Sequence, residues 1–190
     1  QVSGMSALVV EYLKEKVGIT DEKLLREMAN GLMMSAAEVI VDLESQLEAS
    51  PRQQGAGLVN ALKALTSEAY LTVENAENNN KPKAELLDGD GTYTFTFTVH
   101  NFGDAAKTYT LSSSLLTEAV NEDYYPYYGE YFMAGFETEL DGSVSFSADT
   151  VTVPAGGSAD VTVTVTVSAE GKAWLEQYYP NGGYVKAMST

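Results

Sequence analysis

Apolar residues recur at helical spacing through the first third of the chain and at alternate positions through most of the remainder, so two kinds of element are expected in succession. Val2, Met5, Leu8, Val9, Tyr12, Leu13 and Val17 mark one helix ending near Gly18, a residue that readily adopts a left-handed cap. Thr20, followed by Asp21 and Glu22, predicts the start of a second helix. A hydroxyl there accepts from free amides, and the acids complement the positive helix end. Leu24, Leu25, Met28, Leu32 and Met33 form its apolar face, a methionine pattern that reads as core packing ahead of a binding groove. Residues 38–49 carry Val39, Ile40, Val41, Leu43 and Leu47, which fit a short helix or a strand equally. The run Ser50, Pro51, Arg52, Gln53, Gln54, Gly55, Ala56, Gly57, Leu58, Val59, Asn60, Ala61 then reads as a loop turning into a short buried helix. Leu58, Ala61, Leu62 and Leu65 set its apolar spacing. Gly55 and Gly57 bracket one alanine, so the backbone there can turn tightly and approach a neighbour.

Period-two patterning begins after residue 66 with Tyr70, Leu71 and Val73. An exposed loop is expected at 77–82 and a turn at 88–91. Residues 92–100 alternate threonine with Tyr93, Phe95, Phe97 and Val99, which predicts one dry and one wet face. Another strand is expected at 107–117, and one ending at the Val153-Pro154-Ala155-Gly156 turn. A further strand carries Val161, Val163, Val165 and Val167 inward, followed by a short helix from Glu170 to Tyr178, a break at 180–183 and a last strand from Tyr184. Short alternating strands separated by turn residues predict an antiparallel β-sandwich. The fold class is therefore α+β, with a helical part at 1–66 and a sandwich at 67–190, the pattern being weakest between Asn121 and Leu140.

Charge and composition narrow the functions. The net charge of −16 is uneven: residues 1–66 hold nine acids against six bases, and residues 67–190 hold 18 against five. Such a surface repels phosphate backbones, so no nucleic-acid partner is expected; its plain reading is a solvated face. The absence of cysteine excludes disulfides and thiol chemistry. No apolar run is long enough for a membrane span, no signal peptide is visible, and the opening Gln1-Val2-Ser3-Gly4 reads as the interior of a longer polypeptide. His100 is the only histidine, too few for a histidine metal site, and a structural role is expected of it. Asp88-Gly89-Asp90-Gly91 lacks the ligand count of a calcium loop and reads as a turn, so neither metal nor cofactor is expected. Five of the 12 tyrosines fall in one stretch, Tyr124, Tyr125, Tyr127, Tyr128 and Tyr131. Such rings can contact a polypeptide or a wall polymer, or pack on an adjoining domain, and packing is the favoured reading.

The Ser50–Ala61 run resembles the end of the catalytic domain of subtilisin-like serine proteases, where a Gly-x-Gly-apolar-apolar-Asn-Ala turn leads into the last helix. Its longer form, Ser50 to Gly57, resembles the cell-envelope subtilases of Gram-positive bacteria, of the lactocepin and complement-peptidase type. Met33-Met34-Ser35-Ala36-Ala37 fits the same family, and Gln1 to Gly4 resembles the continuation of the helix opened by the nucleophile motif. Phe97 to Asn101, the Val153 to Gly156 turn and Asn181 to Val185 resemble the fibronectin type III-like domain that follows the protease in these enzymes. The resemblance implies that the nucleophilic serine lies just upstream of Gln1. It also implies that this chain holds no triad residue and no recognisable oxyanion hole, and that it supports a secreted or wall-associated endopeptidase acting on protein or peptide substrates. The upstream protease domain of the same polypeptide is then the expected partner. The competing reading is a β-sandwich binding module that recognises a surface polymer or protein through Tyr124 to Phe132. Without the sheet of a subtilisin domain, the helices are expected to pack on one another, on the sandwich, or on a second copy of the chain.

Overall fold

The computed structural model describes residues 1–87, 89–121, 131–178 and 183–187. Helix α1 (Val2–Tyr12) runs into one wider π turn, Leu13–Val17, which Gly18 closes at φ +83°. Helix α2 (Glu22–Ser35) is capped by Asp21, whose Oδ1 accepts from Leu24 N at 2.7 Å, so the cap lies one residue beyond the expected Thr20. Residues 38–49 are neither helix nor strand. They fold back as a loop through the bridge Val41–Glu48, with Asp42 Oδ1 accepting from Glu44 and Ser45 N. Two short helices follow, α3 (Pro51–Gln54) and α4 (Ala61–Thr66).

The helices share a core of Val9, Leu13, Leu25, Met28, Ala29, Leu32 and Ala64, into which the β region sends Tyr70 and Phe102. Helical packing on helix and on sheet is thus observed. The expected apolar stripes are nonetheless narrower than their spacing implied. Val2 and Leu8 are exposed on α1, and Leu58 and Leu62 are 63% and 72% exposed. Leu58 precedes α4 and is spent on a backbone bridge to Glu38, and α4 turns Ala64 inward beside the expected Leu65.

The β region is antiparallel throughout its described pairs. One layer has the order β1 (Ala69–Thr72), β2 (Thr92–Asn101), β8 (Ser158–Val167), β6 (Gly142–Phe146). The remaining strands pair as β3 (Lys107–Thr110) with β7 (Thr150–Val153), and as β5 (Tyr131–Glu139), β4 (Ser113–Asn121), β9 (Gly183–Ala187). Long register between β2 and β8, from Thr92 opposite Thr166 to His100 opposite Ser158, puts the threonines on one face. Phe97, Val99, Val161, Val163 and Val165 fall on the other, against Val151 and Val153 of β7, with Tyr93 and Phe95 partly buried beside them. The alternation therefore reports the inner face correctly. The single strand expected at 107–117 is two strands in different sheets, because the chain turns between Thr110 and Ser113 to change partner. Helix α5 (Ala169–Tyr178) lies between β8 and β9 as expected, with Ser168 Oγ accepting from Gly171 N.

Candidate functional site

The Ser50–Ala61 loop is one place where the helical and β regions are tied, and its residue types follow from its backbone. Ser50, 3% exposed, accepts from Arg52 N at 3.1 Å and so caps α3, with Pro51 at a position where no amide is needed. The Ser50 amide donates to Glu137 Oε1 of β5 at 2.9 Å. Gln54 Oε1 accepts from Ile40 N at 2.7 Å while its Nε2 donates to the Ala49 carbonyl, so one side chain clamps both arms of the 38–49 loop. Gly55 takes φ +64° and Gly57 φ +119°. At Gly57 a Cβ would stand 2.3 Å from the Glu38 carbonyl oxygen, because Glu38 and Leu58 exchange backbone bonds of 2.8 and 2.7 Å. Asn60 caps α4 through Lys63 N at 2.9 Å and donates to Glu38 Oε1 at 3.0 Å. Lys63 Nζ lies 3.2 Å from the same oxygen, and these partners hold the exposed Glu38 carboxyl below its usual range.

The other sequence candidates sit apart from this loop. Gln1, Val2, Ser3 and Gly4 form the exposed first turn of α1, where a Cβ on Gly4 would meet nothing within 4 Å. Arg52 and Gln53 are exposed on α3, and Ala56 lies in the turn. Tyr124, Tyr125, Tyr127 and Tyr128 fall outside the described residues; Tyr131 begins β5, opposite Asn121. His100 lies in neither group. Its Nε2 is 2.8 Å from Thr72 Oγ1 and its ring stacks on Tyr70 with centroids 4.6 Å apart. Among the described residues, no three acidic or histidine side chains converge to hold a metal ion.

Sequence reading missed Glu137 and Glu38. Glu137 is 4% exposed, and its second oxygen has no partner among the described residues. It stands opposite Glu118 across the β4–β5 pair, beside a register shift. No local pattern could announce it, since its partner Ser50 is 87 positions away.

The model of the Fn3-like domain family matches residues 84–190. This chain belongs to that family. The Fn3-like match covers β2 to β9 together with α5, whereas β1 and helices α1 to α4 precede it. Curated relatives extend over both regions. The chain is 30% identical to C5a peptidase of Streptococcus pyogenes serotype M6 over 97% of its own length and 14% of that protein. It is 27% identical to the PII-type proteinase of Lacticaseibacillus paracasei over 95% of its length and 10% of the relative. Identity to the PI-type proteinase of Lactococcus lactis subsp. cremoris is 28%, over 83% and 8%. The relatives are named as peptidase and proteinases, and this Fn3-like chain spans a small fraction of their length.

Proposed function

We propose that the chain is the non-catalytic segment of a secreted or wall-associated, subtilisin-type serine endopeptidase. Residues 1–66 are the end of the peptidase domain in this reading, and residues 67–190 are the sandwich that follows it. The observation that carries it is similarity to peptidase and proteinase relatives across both the helical and the β regions, 97% of the chain. The Ser50 to Glu137 bond gives that continuity a physical role. It fixes the loop that ends the helical region onto β5, so the sandwich is held in one orientation to whatever the helices adjoin. The exposed Val2, Leu8, Leu58 and Leu62 are then the face that meets the upstream peptidase domain, the partner in the same polypeptide. The parent's chemistry, attack of an activated serine on a peptide carbonyl, is supplied there. Substrate is a polypeptide, and the sandwich takes no direct part in bond cleavage.

Two measurements test this. The purified 190-residue chain is expected to leave casein intact, and hydrolysis blocked by a serine-directed inhibitor would overturn the proposal. Alone, the chain is expected to self-associate through its uncovered apolar positions in sedimentation velocity, and Leu8→Glu with Leu62→Glu to return it to monomer. A wild-type monomer at all concentrations would remove the docking face.

A further inference from the structure

His100 stacks on Tyr70 at the seam between helix and sheet. Its ring lies nearly parallel to that of Tyr70, at 12°. The Tyr70 ring also lies against α2, where a Cβ at Gly31 would come within 2.5 Å of it. Leu71 N donates to Ser35 Oγ at 3.0 Å, so β1 is bonded to α2 beside the stack. Tyr70 and Thr72 are buried, and His100 is half-buried over both. A change at one imidazole thus reaches α2 through one intervening ring. We propose that His100 is an acid-sensitive latch, which holds α2 and β1 together while its ring is neutral and loosens them when the ring is charged.

The groups facing the imidazole come from three elements. Glu27 approaches from α2, its Oε2 accepting from Asn80 Nδ2 at 2.6 Å. Asp160 approaches from β8, where its Oδ1 accepts from Thr98 Oγ1 at 2.7 Å. The Tyr70 phenol of β1 is pushed up to about 12 by burial and by Glu27, so it stays neutral. Burial pushes the His100 imidazole below its ordinary range, and it outweighs the two carboxylates, which act in the opposite direction. The unfolded chain therefore takes up this proton at higher pH than the folded one. The seam's stabilisation is complete above the ordinary histidine range and is lost as pH falls through it toward the lower folded value. A charged ring also turns Nε2 into an obligate donor toward Thr72, and it raises the cost of the ring's burial.

Because the chain has a single histidine, one imidazole resonance reports the latch. The experiment follows that resonance by NMR titration and compares amide-exchange protection factors of residues 22–35 with those of β2 and β8, at about pH 7.5 and about pH 5. The expected result is a titration below the usual histidine range, with a several-fold acid loss of protection in 22–35 and none in the sheet centre. His100→Gln keeps a hydrogen-bonding group toward Thr72 but cannot titrate, and should remove the acid loss. Glu27→Gln should lower the imidazole titration further. An acid loss retained in His100→Gln, an unchanged seam in the wild type, or a titration at or above the usual range would each overturn the latch.

Discussion

Asn101 shows how one polar side chain can be committed to structure. It is 2% exposed, and its Nδ2 reaches the carbonyls of Ala105, Val153 and Pro154 at 2.8, 3.2 and 3.1 Å while Oδ1 accepts from Gly103 N. Asn101→Ala would remove all four of these contacts, although the Pro154 carbonyl keeps Gly157 N. It is expected to lower stability by about 2–4 kcal/mol, seen as a lower urea midpoint with an unchanged slope. Gly57→Ala is constrained differently, by a left-handed φ and by backbone with no room to yield at Glu38. A loss of about 2 kcal/mol or more is expected, with faster amide exchange at Glu38 and Leu58. The glycine spacing was legible as a tight turn. The identity of the backbone it approaches was not, because Glu38 is brought there only by folding of the 38–49 loop.

Among the elements, the start of α2 separates two neighbouring residues that local reasoning treats alike. Asp21 makes the cap and Thr20 does not, so Asp21→Ala should cost about 1 kcal/mol and Thr20→Ala much less, measured by thermal unfolding. Strand β8 was the most legible element, since its alternating valines reach the inner face without exception. Val163 is fully buried between β2 and β7, and Val163→Ala should cost about 2 kcal/mol from lost transfer energy plus the cavity left behind. Strands β5 and β6 left no clear signal. Gly135 and Glu137 interrupt β5, β6 is only five residues long, and their place in the sheets comes from pairing with β4 and β8. The division of 107–121 into β3 and β4 was hidden for the same reason, as a change of partner leaves little mark on periodicity.

Across the whole molecule, two hydrophobic cores, one helical and one between the sheet layers, meet at a polar junction. Tyr70 serves the helical core from a strand of the sheet, and Glu137 takes the Ser50 amide from β5. Replacing Glu137 by Gln keeps the acceptor toward Ser50 and removes a carboxyl group opposite Glu118. Stability equal to wild type or about 1 kcal/mol higher is expected by urea unfolding. Glu137→Ala should instead cost about 1–3 kcal/mol, since the Ser50 amide loses its partner. The same pair carries the proposed orientation of the sandwich, which no property of either segment alone would disclose.

The sequence by itself determined the passage from helices to strands, the dry face of β2 and β8 and the glycine turns. Each of these depends on residues close together in the chain, through backbone sterics, capping and the 3.6 and 2.0 periods, whereas the family was reached through resemblance of short motifs. Only the tertiary structure decided which apolar helix positions are covered, where the 107–121 segment changes sheets, and which distant groups meet at Ser50 with Glu137 and Tyr70 with His100. Those outcomes depend on contacts across tens of residues, and burial of a side chain is a property of what folds over it rather than of its own spacing.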